Sequence, residues 1–150
     1  MLSSQRYWDT HEKNYDQSDS HEFMFANLTA LLDDLAARPG AQAGSHMLDE
    51  TAVVVLSEMG RTPKLNGALG KDHWPVTSAL VIGGGVHGGN VFGGTSATGE
   101  ALLTDFASGT PAASGRTIEP RHLAAGLVAL CGVDPHAYLP GAEVFDAFVA

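Results

Sequence analysis

The clearest periodic pattern lies over about residues 20–37. Phe23, Leu28, Leu31, Leu32 and Leu35 fall there on one face of an α-helix at helical spacing. Ser18 or Ser20 can cap its start, and Pro39-Gly40 ends it. A different pattern follows over residues 51–57, Thr-Ala-Val-Val-Val-Leu-Ser. Its run of β-branched residues predicts a strand buried on both faces. Residues 76–82 predict another strand. Residues 119–131 predict a second helix, with Pro120 near its first position. Residues 1–8 read as the end of a strand, and residues 9–18 as a polar loop.

A strand, a helix and a second buried strand predict a right-handed βαβ crossover. Such a unit sends its loops to one sheet edge, where α/β proteins keep their chemistry. Two loops would lie there, at residues 9–18 and 58–75. The stretch Gly83-Gly84-Gly85-Val86-His87-Gly88-Gly89 formally contains G-x-G-x-x-G. Asn90-Val91-Phe92-Gly93-Gly94 follows in place of the helix that a dinucleotide site needs, so a Gly-rich hairpin with a short strand at residues 90–92 is expected instead.

Composition narrows the classes. The 150 residues suffice for one core, and 44% hydrophobic against 17% charged residues predicts a folded chain. Eight basic and 17 acidic residues give a net charge of -9, which disfavours nucleic acid as a partner. No signal peptide and no membrane span is visible. The single cysteine, Cys131, excludes an internal disulfide; its apolar neighbours Leu127-Val128-Ala129-Leu130 predict burial.

Three patches carry candidate chemistry. In Trp8-Asp9-Thr10-His11, a carboxylate and an imidazole two residues apart can converge on one cation. In Ser57-Glu58-Met59-Gly60-Arg61-Thr62-Pro63, Glu58 follows the buried strand. Arg61 there offers a planar fork to an oxyanion, unless the two simply pair with each other or with neighbours in a semi-buried loop. In Gly70-Lys71-Asp72-His73-Trp74-Pro75, His73 is the ligand candidate, or packs against Trp74 as an ordinary loop histidine; Asp72 pairs elsewhere, for example with Lys71. Together Asp9, His11, Glu58 and His73 suit a divalent metal (zinc, calcium, manganese or magnesium), with Arg61 as the oxyanion contact.

In order and spacing, Trp8-Asp9-Thr10-His11…Asn14, Val53-Val54-Val55-Leu56-Ser57-Glu58-Met59-Gly60-Arg61-Thr62-Pro63…Asn66, Gly70-Lys71-Asp72-His73-Trp74-Pro75 and Gly83-Gly84-Gly85-Val86 closely resemble the bacterial domain-of-unknown-function family 1501. The resemblance runs from about Tyr7 to Val133. Full-length members are similar to the alkaline phosphatase and sulfatase superfamily and often begin with a twin-arginine export signal. The resemblance implies the C-terminal part of a larger domain: a partial alkaline-phosphatase-like three-layer α/β fold with a mainly parallel sheet. By position Asp9 and His11 match that superfamily's first ligand pair and His73 its last. Glu58-Met59 stands where an Asp-His pair would stand, leaving a two-metal site incomplete.

Two functional expectations follow. One is a metal-dependent hydrolase of phosphate or sulfate esters, inactive as this chain alone because the superfamily's nucleophile lies upstream. Neither Ser57 nor Thr10 replaces it convincingly. The other is a non-catalytic exported binding or scaffolding protein with a degenerate metal site. The resemblance makes the partner a missing N-terminal portion, or a second copy through self-association.

Overall fold

The structure, a computed structural model, describes residues 8–150. The chain divides into two compact units, Met1–Leu80 and Val81–Ala150. Its elements in order are α1 (Asp16–Ala37), β1 (Ala52–Leu56), β2 (Gly60–Arg61), β3 (His73–Trp74), β4 (Ala79–Gly83) and α2 (Pro120–Leu130). Short 3-10 turns at Met47–Glu50 and Pro135–Ala137 complete them.

The three-layer fold with a mainly parallel sheet is not what the described residues form. They hold two α-helices and two two-stranded sheets, β1 with β4 and β2 with β3. The β2–β3 ladder is antiparallel, with Gly60 opposite Trp74 and Arg61 opposite His73. Residues 1–7, where most of the first strand was expected, lie outside the described residues, and Trp8 is in no strand. Nor is β1 buried on both faces. Val53, Val54 and Val55 are half-buried, and Leu56 is 60% exposed. A run of β-branched residues favours extended backbone whether or not layers cover it, so the pattern alone overstated the sheet. The Gly-rich hairpin is also absent. Asn90, Val91 and Phe92 form no strand, and glycines with positive φ at 85, 89 and 93 turn the chain repeatedly.

Helix α1 starts earlier than its pattern predicts. Asp16 and Asp19 sit in the first turn, where the helix dipole favours acidic groups, and neither Ser18 nor Ser20 is the cap. Its covered face is Ser20, Met24, Leu28, Leu32 and Leu35, not the face through Phe23 and Leu31. Phe23 and Leu31 are 43% and 38% exposed. At the other end Arg38 pairs with Asp34 one turn back, and its N–H donates to the Asp34 carbonyl. Among the described helices none is long and apolar enough to cross a membrane.

The second unit is organised around α2. Glu119 is its N-cap and Pro120 its first residue, as the sequence predicts. The helix buries His122, Ala125 and Gly126. Phe106 meets His122 and Phe145 edge-on, at ring separations of 5.1 and 5.2 Å, and Phe145 and Phe148 are buried. Cys131 caps α2 and is exposed; it falls past the end of the buried face, which corrects the expected burial.

Candidate metal centre

The site is assembled by two polar segments of the first unit. Residues 9–14 run alongside residues 66–71. Lys71 N donates to the Thr10 carbonyl at 3.0 Å, Asn14 N to the Leu69 carbonyl at 2.8 Å, and Lys13 N to the Ala68 carbonyl at 3.3 Å. Gly70 permits this approach. A Cβ on it would lie 2.0 Å from the His11 carbonyl carbon and oxygen. On either side of the contact, Lys13 and Leu69 hold positive φ of 49° and 61°. Such angles are uncommon outside glycine, and for Leu they mark real backbone strain.

Asn66 locks the second segment. Its Oδ1 accepts from the N–H groups of Ala68 and Gly70, both at 3.0 Å. Its Nδ2 donates to the His11 carbonyl at 2.9 Å and to Asp72 Oδ1 at 3.0 Å. Thr62 closes the loop: its N–H donates to the Asp72 carbonyl, and its hydroxyl oxygen accepts from Asp72 N. The β2–β3 register then sets Arg61 directly across from His73.

This scaffold brings three ligand-type atoms together. His73 Nε2 is 3.0 Å from Asp9 Oδ1, His11 Nε2 is 3.2 Å from the same oxygen, and the two Nε2 atoms are 3.1 Å apart. Four ligands held tetrahedrally at a zinc-like radius of 2.0–2.1 Å are separated by about 3.3 Å. At the same radius, adjacent octahedral positions are separated by about 2.9 Å. The near-equilateral triangle lies between these values. It has the dimensions of one face of a transition-metal coordination shell before any side chain moves. All three side chains are about half exposed or more, so the cluster is open to solvent. An open pocket at this point is lined by Asp9, Thr10, His11, Glu12, Lys13 and Asp16.

The electrostatics keep the carboxylate ready. Hydrogen bonding from Arg61, then from His73, lowers the Asp9 pKa to about 2, so it is ionised at neutral pH. Arg61 does this while donating three hydrogen bonds through its fork. Nη2 donates to Asp9 Oδ1 at 2.5 Å and to the Trp8 carbonyl at 3.1 Å, and Nη1 donates to the Lys71 carbonyl at 3.1 Å. Of the partners open to it in the sequence, an oxyanion, Glu58 or other neighbours, Arg61 here takes neighbours and braces Asp9. The Asp72 carboxyl also lies below its usual range, held there by His11 and then Asn66. Its Oδ1 is 3.1 Å from His11 Nδ1.

Of the residues singled out in the sequence, Asp9, His11 and His73 meet, with Arg61 behind Asp9. Glu58 is outside this group; its carboxylate accepts from the Ser57 hydroxyl at 3.2 Å. Asp72 and Asn66 were missed as partners of the site. Asp72 turns to His11, not Lys71. The available signal was the spacing Asn66…Gly70…Asp72, a side chain able to cap a tight loop followed by a residue needing close approach. Thr10 Oγ1 and Asn14 Oδ1 are buried beside the site without a hydrogen-bond partner.

The family described as "Protein of unknown function (DUF1501)" matches residues 2–143. The chain belongs to the DUF1501 family. No curated protein and no solved structure matches it. The DUF1501 match spans both segments that build the triangle, from Asp9 to His73.

Proposed function

We propose that this DUF1501 chain binds a divalent transition metal, zinc foremost, through Asp9, His11 and His73, and that the site serves hydrolysis of phosphate or sulfate esters without the chain being sufficient for turnover. The observation that carries the reading is the triangle of Asp9 Oδ1 and two Nε2 atoms with edges of 3.0–3.2 Å. Two imidazoles and one carboxylate favour zinc or iron(II) over calcium and magnesium, which prefer all-oxygen shells. A metal with open positions supplies Lewis acidity and a deprotonated water near neutral pH, as ester hydrolysis requires. The ester class rests on the motif resemblance alone. The hydroxyls considered as nucleophiles give no support for independent catalysis, since Thr10 Oγ1 is buried and Ser57 Oγ bonds Glu58.

A second reading is a non-catalytic metal-binding protein. It is favoured by Arg61, whose donors are committed to Asp9 and two carbonyls, and by Glu12 and Asp16 lining the pocket, which repel an anionic ester.

The test is calorimetry and elemental analysis with zinc, manganese, calcium and magnesium, on wild type and His11→Ala, followed by monoester assays. One zinc per chain, weakened at least tenfold in His11→Ala, is expected, with no turnover by this chain. Equal stoichiometric binding by both proteins would remove His11 from the site. No binding by wild type would end the metal reading.

A further inference from the structure

We infer that Asp72, braced by Asn66, is a positioning residue that fixes the proton of His11 on Nδ1 and thereby reserves Nε2 as the ligand nitrogen. This rests on the metal reading for its purpose, but not for its structural content.

An ionised carboxylate only accepts hydrogen bonds. Asp72 Oδ1 lies 3.1 Å from His11 Nδ1, a contact that is a hydrogen bond only when that nitrogen carries the hydrogen; it competes with Asp9 Oδ1, 3.2 Å from Nε2. A neutral imidazole with its hydrogen on Nδ1 has a lone pair on Nε2. Nε2 is the atom that faces Asp9 and His73. Carboxylate–histidine pairs of this kind orient metal-ligating imidazoles and raise their basicity.

The brace behind Asp72 is specific. Asn66 Nδ2 donates to the same Oδ1 that takes the His11 hydrogen, and also to the His11 carbonyl. One amide therefore ties both the backbone of the ligand residue and the carboxylate that orients its ring. The orientation of Asn66 is not free, because its Oδ1 is occupied by the N–H groups of Ala68 and Gly70. Asp72 itself is held by backbone through Thr62, independently of its side chain, so replacing the carboxylate leaves the loop's other bonds in place. The contacts of His73 run through its Nε2, to Asp9 and His11. His11 is thus oriented through Nδ1 by Asp72, and His73 sits on its strand opposite Arg61.

The experiment uses the whole chain labelled with 15N-histidine, metal-free, under conditions where His11 is neutral. Nitrogen NMR should show His11 with hydrogen on Nδ1 in wild type. In Asp72→Asn, the amide can present its NH2 to Nδ1 and shift the hydrogen to Nε2. Zinc affinity of that variant should fall by about 10–100-fold, the usual range for losing such a partner. Asp72→Glu should recover part of the loss. A wild-type spectrum with hydrogen on Nε2 overturns the inference without any variant, so misfolding of Asp72→Asn cannot shield it. Unchanged tautomer and affinity in a folded Asp72→Asn also overturn it. If wild type binds no zinc yet shows hydrogen on Nδ1, the metal reading fails while the positioning role of Asp72 stands.

Discussion

The two units of this chain are held together by different forces. In the second, apolar side chains do the joining: Ala125, Ala142, Phe145 and Phe148 are buried around α2. In the first, the apolar residue buried among those described is Leu35, while the loops carrying the candidate site are knitted by polar groups. Asn66 alone makes four hydrogen bonds through its side chain. Glu50 does similar work near α1, accepting from Ala41 N, Gln42 N and the Ser45 hydroxyl. Hydrophobic contacts are non-directional and spread over many atoms, so they define a core but tolerate small displacements. Hydrogen bonds are directional, so a polar network can hold three ligand atoms in a set triangle on an exposed surface. Its weakness is that each contact is nearly singular. The first unit should lose function when one contact fails, and the second should lose stability in proportion to the packing disturbed.

Gly70→Ala should have the largest effect. The new Cβ would lie 2.0 Å from His11 backbone and 2.4 Å from Glu12 N, so residues 9–14 and 66–71 must separate. Sites of this kind need their ligands within roughly 0.5 Å of the working geometry. Zinc affinity should therefore fall on the order of a hundredfold, as for other losses in the supporting shell. Titration of the folded variant checks this. Retained affinity would show that the two segments are not what aligns His11 with His73.

Gly126→Ala is the matching change in the second unit and should act differently. Alanine suits a helix better than glycine by about 1 kcal/mol. Here, however, its Cβ would lie 2.0 Å from the Phe145 carbonyl oxygen and 3.0 Å from Phe148. Backbone cannot yield as a flexible side chain can, and overpacking typically costs about 1–3 kcal/mol. Against a backbone atom the cost lies in the upper part of that range, so the clash should win, with net destabilisation of about 1–2 kcal/mol. For a cooperative unit of this size that lowers Tm by roughly 4–8 °C per kcal/mol. Calorimetric melting, with zinc titration well below the transition, gives both readouts. The site's side chains all come from residues 9–73, so affinity should hold. A higher Tm would mean that α2 and the Phe145 backbone can separate at little cost.

The same contrast explains what was legible in the sequence. Helix α2 and its Pro120 start were readable because capping and periodicity act locally. Asp9, His11 and His73 were readable as ligand types near turns, and they do come within hydrogen-bonding distance of one another. The sheet was not readable, because Val53-Val54-Val55 carries the same signal in a two-stranded ladder as in a wide parallel sheet. The covered face of α1 was misjudged for a related reason. Met24 and Ser20 face inward while Phe23 and Leu31 stay exposed, and neighbours decide that choice, not periodicity. The partner of Asp72 was not readable because it is His11, 61 positions away in sequence. For Arg61 an oxyanion contact and pairing with neighbours were both open in the sequence, and the fold names the neighbours as Asp9, Trp8 and Lys71.

Leu69→Gly should have the smallest effect and the opposite sign. Leu69 sits at φ 61° with its side chain 61% exposed, so little packing is lost when that side chain is removed. A left-handed conformation costs a non-glycine residue roughly 1–2 kcal/mol. Glycine adopts it freely but gains more entropy in the unfolded chain, which offsets up to about 1 kcal/mol. The net should be a gain in stability of a few tenths to about 1 kcal/mol, measured by denaturant midpoint at constant m. The backbone bonds Leu69 N to Asn66 O and Asn14 N to Leu69 O survive the change, so zinc affinity should stay within about threefold of wild type. A loss of affinity with a gain in stability would be the informative exception. It would mean that the strain at Leu69 restrains the loop over residues 66–72, and that relaxing it frees Asp72 and His73 from the geometry that His11 requires.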